Sequence, residues 1–157
     1  LKHDWENAYR AYTNGFNASR NDDNRVSTTH WRYMILRRMG READAADVLA
    51  EISADMNIIE NMSYHSLDLF YKGELSMADL IGGNEDSPAG AAVMYGAANW
   101  HYYNGDVETA RDMFEALTSS RSWAGFGYIA AEADLASMKN LGRIAASGAQ
   151  STQRRRR

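Results

Sequence analysis

The sequence predicts an all-α fold, a solenoid of about four antiparallel helix pairs. Four short segments align without gaps: His3–Ala8, Gly40–Ala45, Gly73–Ala78 and Gly105–Ala110. Three of them begin with Gly and all end in Ala, and the Ala positions lie 37, 33 and 32 residues apart. That spacing is the length of a repeated helical hairpin. The 157 residues include 24 Ala and one Pro, too few turn formers for a β-sandwich or barrel.

Each segment has a physical reading. Gly ends one helix in a backbone conformation that other residues reach at a cost. The acidic or polar residues after it suit the first turn of the next helix. The Ala then sits at the close contact between the two helices, where a larger side chain would push them apart. The flanking stretches agree. Trp31, Met34, Ile35 and Met39 recur at helical spacing before Gly40, and Val48, Leu49 and Ile52 follow Ala45. Met113, Phe114 and Leu117 follow Ala110 in the same way.

The expected helices are 1–18, 25–39, 41–53, 57–72, 76–81, 88–104, 106–118 and 122–139. Leu1–His3 read as the end of a helix whose start lies before them. Asp22 to Asn24 are candidate caps for the second helix. Gly82–Pro88 is the clearest loop, with Ser87 as N-cap and Pro88 at the first helical position. Residues 1–139 read as one repeat domain and 140–157 as a polar, Arg-rich tail without periodicity.

Composition limits the function. Without Cys there is no disulfide scaffold, Cys-based zinc site or cysteine nucleophile. Without the four terminal Arg, 13 basic against 21 acidic residues leave a body of charge −8, a poor generic partner for nucleic acid. Arg154, Arg155, Arg156 and Arg157 are candidates for an anionic surface. No membrane span and no signal peptide are visible, and no compartment is excluded. His3, His30, His65 and His101 sit in no ligand motif, so no metal and no cofactor are expected. The pairs Asp22/Asp23 and Glu132/Asp134 read as solvated caps and faces rather than an acid–base pair.

Taken together, these segments resemble the tetratricopeptide repeat family. Trp123, Phe126 and Gly127 look like its first-helix signature. Gly105, Ala110 and Phe114 look like its second half, as do Ala8 and Tyr12 near the start. The resemblance covers Leu1 to about Met138 and implies a right-handed superhelix. Val26–Met34 and Trp123–Leu135 also look like bacterial members in which further repeats lie upstream. The chain departs from the family pattern at Gly82 and Gly83, which stand where an aromatic is usual, and at Arg32 and Tyr33.

In this family the first helices line a concave surface. The resemblance therefore implies a partner groove formed by His30, Met34, Arg37, Tyr64, Leu67, Tyr95, Asn99 and Tyr102. The family's clamp for acidic chaperone tails is echoed only by Asn99 and Arg37, so that partner is not expected. The expected function is a non-catalytic protein–protein interaction module, a scaffold or accessory subunit of a larger assembly holding a protein or peptide. A structural subunit that self-associates through its convex face and ends is the alternative. An enzyme or small-ligand binder stands last.

Overall fold

The computed structural model describes residues 2–82, 88–121 and 123–154, with side chains up to Leu141. Eight helices and no strand occur among these residues: α1 Trp5–Ala18, α2 Asp22–Arg38, α3 Glu42–Val48, α4 Met62–Tyr71, α5 Met77–Ile81, α6 Pro88–Tyr103, α7 Val107–Thr118 and α8 Phe126–Arg154. The chain is all-α. Ser87, the expected cap, and Arg155, Arg156 and Arg157 lie outside the described residues.

One turn geometry recurs at the aligned positions. Gly40, Gly73 and Gly105 have φ of 72°, 80° and 91°. In each case the next residue donates its N–H five residues back: Arg41 to Leu36, Glu74 to Leu69 and Asp106 to His101, at 2.9–3.0 Å. This is the Schellman closure, which satisfies the last carbonyls of a helix and turns the chain into its partner. His3 stands at the same place in the first segment with φ 53°, the one non-Gly residue with positive φ among the described residues.

The Ala positions divide. Ala45 and Ala110 are fully buried at the α2–α3 and α6–α7 crossings, Ala8 is half-buried and Ala78 is exposed. Helix α5 is only five residues long and anchors itself through Leu80, which packs with Leu67, Val93 and Ala97.

Several helix bounds differ from the expectation. Helix α3 stops at Val48, not 53. Beyond it, Leu49, Ala50 and Ile52 donate to residues three back, and these tight turns still bury Leu49 and Ile52. Helix α4 begins at Met62, not 57, because the amides that would start it are already taken. The Asp23 carboxylate accepts from the N–H of Ile59, Glu60 and Asn61 at 2.8–3.2 Å, and Asp22 accepts from Asn57 at 2.9 Å. The expected cap of α2 moves to Asn21, which accepts from the Asn24 N–H at 2.9 Å. Helix α8 starts at Phe126 and continues past 139 to Arg154, through a stretch without Pro and rich in Ala.

Packing runs along the chain and then returns. Helix α2 contacts α1, α3 and α4; α4 contacts α5 and α6; α6 contacts α7 and α8. Helix α2 also touches α6 directly, and its C-terminal end reaches α8 through an ion pair. Two close crossings hold this arrangement. A Cβ at Gly96 would meet Leu67 Cδ2 at 2.5 Å on α4. One at Gly127 would run into the Ala91 carbonyl oxygen on α6.

Candidate functional site

Helices α2, α6 and α8 meet around a buried polar cluster. Arg38 at the end of α2 donates through Nη2 to Asp134 Oδ2 at 2.7 Å and through Nε to Asn99 Oδ1 at 2.6 Å. The Tyr95 hydroxyl donates to the same Asp134 oxygen at 2.9 Å. His3 Nε2 lies 3.2 Å from Asp134 Oδ1 and its ring stacks on Trp5, centroids 5.0 Å apart. The guanidinium of Arg38 also lies 4.0 Å from the Tyr102 ring centroid. Burial, with the Asp134 charge second, raises the Tyr95 phenol far above its ordinary value, so it is a donor at any physiological pH.

Most of the residues expected to line a groove are buried. His30, Met34, Leu67, Tyr95 and Asn99 are all at least nine-tenths buried. Met34 and Leu67 belong to the hydrophobic core, and His30 is enclosed by Trp31, Tyr64 and Tyr71. Only Arg37, Tyr64 and Tyr102 remain half-buried. Arg37 is occupied within the fold, donating to Asn104 at 2.7 Å and lying 4.6 Å from the Tyr103 ring centroid. The physical reason is packing between helices: α2 contacts α4 and α6, α4 contacts α6, and Arg38 ties α2 to α8, so these side chains face one another rather than solvent. The reading of Asp134 and Asp23 as solvated carboxylates is corrected as well, since both are buried and hydrogen-bonded. A signal was present for Asp134: Gly127, Ala130, Ala131 and Asp134 fall on one helical face, and all four are buried.

One pocket, of about 130 Å³, lies between α1 and α8. His3, Trp5 and Tyr12 form one wall, Phe126 and Ala130 the other, and Trp31, Ile35 and Tyr95 the floor, with Asp134 at one end. The aromatic rings brace one another. Trp31 stacks on Tyr12 at 5.7 Å and meets Phe126 edge-on at 6.1 Å. Burial pushes the Tyr12 phenol up, so it too stays protonated. Asp134 is already paired with Arg38, so the pocket offers ring faces and hydrogen-bonding groups without an unpaired charge. Phe126, which lines it, is 62% exposed, and Trp123, three residues before it in sequence, is 72% exposed. Sequence reasoning placed Phe126 and Trp31 in helical packing and missed that they line one pocket.

The remaining histidines are structural. His65 Nε2 lies 2.8 Å from the Ser53 carbonyl oxygen, and His101 Nδ1 lies 3.1 Å from Asp106. Among the described residues, no three His, Asp or Glu converge as a metal site and no helix is long and apolar enough to cross a membrane. Comparison with protein-family models, curated proteins and solved structures returns no match.

Proposed function

We propose that this chain is a non-catalytic protein–protein interaction module built from tetratricopeptide-like helix pairs, acting as a scaffold or accessory subunit. Its partner is a peptide or protein segment that inserts an apolar side chain into the pocket between α1 and α8. The Schellman turns at Gly40, Gly73 and Gly105, in phase with the aligned segments, support the repeat reading. The binding reading rests on a single observation. A braced aromatic pocket of about 130 Å³ is lined by a largely exposed aromatic side chain, Phe126. Rigid aromatic walls with little conformational entropy to lose suit an apolar anchor. Exposed aromatics clustered at one place mark contact surfaces more often than solvent-facing skin.

The test is a peptide selected from a random library for binding this chain and measured against wild type and Phe126→Ala. The truncation should weaken binding about tenfold, the loss of one good anchor contact, with helicity unchanged. Equal affinity in the variant would remove the pocket from the function. The exposed Phe126 and Trp123 favour a second reading, self-association through this end of the array. A concentration-dependent sedimentation coefficient, abolished by Trp123→Ala, would support it; a monomer at all concentrations would exclude it.

A further inference from the structure

A second cleft, of about 340 Å³, lies between α2, α3 and the end of α4. Tyr33, Tyr71 and Leu49 give it apolar walls, with the two tyrosine rings stacked at 4.2 Å between centroids. Its charged lining is two cations, Arg37 and Lys72, against one carboxylate, Glu42. Both cations reach solvent, with side chains 14% and 23% exposed. Neither has all its donors engaged at close range. Arg37 Nη2 donates to Asn104 at 2.7 Å, but Nη1 lies 3.4 Å from both the Tyr33 hydroxyl and Glu42 Oε1, longer than a good hydrogen bond. The Lys72 ammonium has three donors. Its contacts among the described residues take two of them, the Ile52 carbonyl at 2.6 Å and Glu74 at 2.8 Å.

We propose that this cleft binds a small carboxylic acid with an apolar body, its carboxylate held by Arg37 and Lys72. Clefts that take small molecules run from about 300 to about 1,000 Å³ and combine apolar walls with a few placed polar groups. This cleft has that make-up at the lower end of the range. The lining selects the sign of the ligand, because a single negative charge is what complements the accessible donors of two cations. Glu42 is the carboxylate that the ligand displaces. Its side chain is largely exposed at the start of α3, and an exposed ion pair of this kind holds weakly. Glu42 therefore turns to water at little cost when a ligand engages Arg37. The ligand gains what Glu42 does not, burial of an apolar body against the braced tyrosine rings and Leu49. The stacked rings and the occupied Arg37 Nη2 leave little ordering to do on binding. This cleft shares no lining residue with the pocket between α1 and α8, so the inference goes beyond the peptide-binding reading.

The experiment titrates benzoate into the full chain labelled with ¹⁵N-arginine and ¹³C-methyl leucine. The Arg37 Nε–Hε resonance and the Leu49 methyl resonances should shift together and saturate, with a dissociation constant on the order of millimolar. Two further probes separate the two halves of the ligand. Benzamide keeps the ring without the charge, and acetate keeps the charge without the ring. Each should bind about tenfold more weakly than benzoate. Glu42→Gln removes the displaced competitor at an exposed position and should tighten benzoate binding several-fold without unfolding the chain. Lys72→Met should weaken it about tenfold. Arg37 and Leu49 resonances that do not respond to benzoate would overturn the proposal. So would benzamide or acetate binding as tightly as benzoate, or unchanged affinity in Glu42→Gln. None of these outcomes bears on the pocket between α1 and α8, whose own test uses different residues and a different ligand.

Discussion

Arg38 and Asp134 are 96 residues apart in sequence and 2.7 Å apart in space, with side chains 8% and 3% exposed. This contact ties the second helix to the last. Breaking it from one side leaves a buried charge without its partner. Asp134→Asn or Arg38→Met should each destabilise the fold by about 3–5 kcal/mol. The double replacement Arg38→Met with Asp134→Leu should recover most of that loss. Denaturant midpoints of the three variants check this; single variants within error of wild type would refute the tie.

Gly127→Ala should be among the most damaging conservative changes in the chain. The new methyl would meet the Ala91 backbone oxygen, and neither helix can yield without moving. Overpacking of this kind costs about 1–3 kcal/mol or more. Gly125, also buried but in the turn before α8, is a useful neighbour for comparison. A thermal melt of Gly127→Ala matching wild type would mean that α6 and α8 do not cross this closely.

Acid should weaken the fold through His30. Burial holds its imidazole down to about 3 from an ordinary value of 6.5. The neutral ring is favoured in the fold, so its stabilising effect is complete above pH 6.5 and is lost as pH falls toward 3. The full effect is roughly 5 kcal/mol at about 1.4 kcal/mol per pH unit. His30→Gln should flatten the stability profile between these limits. An unchanged slope would mean that His30 reaches water.

Asp68 acts with the opposite sign. It is fully buried, neither of its oxygens has a hydrogen-bond partner among the described residues, and burial raises its carboxyl well above the ordinary 3.8. Its cost appears as pH rises above 3.8 and grows until the folded value is passed. Asp68→Leu should therefore stabilise the protein at pH 7, by about 1–3 kcal/mol, and gain little near pH 3. Loss of stability at pH 7 would show that the carboxylate has a partner in solution.

How much of this was legible in the sequence depended on range. The turns at Gly40, Gly73 and Gly105 are local, and the aligned segments located them; His3 follows the same backbone even without being Gly. Ala45 and Ala110 were found for the same reason. The start of α4 was not, because the Asp23 carboxylate that holds its amides lies some 36 residues upstream. The burial of His30, Tyr95 and Asn99 was not legible for a related reason: it depends on contacts between helices far apart in sequence, such as Gly96 with Leu67, Gly127 with Ala91 and Arg38 with Asp134, not on any periodicity within one helix.

The central claim is that binding uses the outward aromatic pocket and not the closed inner face. The chain's four Trp test it in one measurement. Trp5 and Trp31 line the pocket, whereas Trp100 packs against Phe70 on α4. In a fluorine NMR titration of 5-fluorotryptophan-labelled protein with a selected peptide, the Trp5 and Trp31 resonances should shift together and saturate while Trp100 stays in place. A bound peptide that leaves Trp5 and Trp31 unmoved would contradict the account.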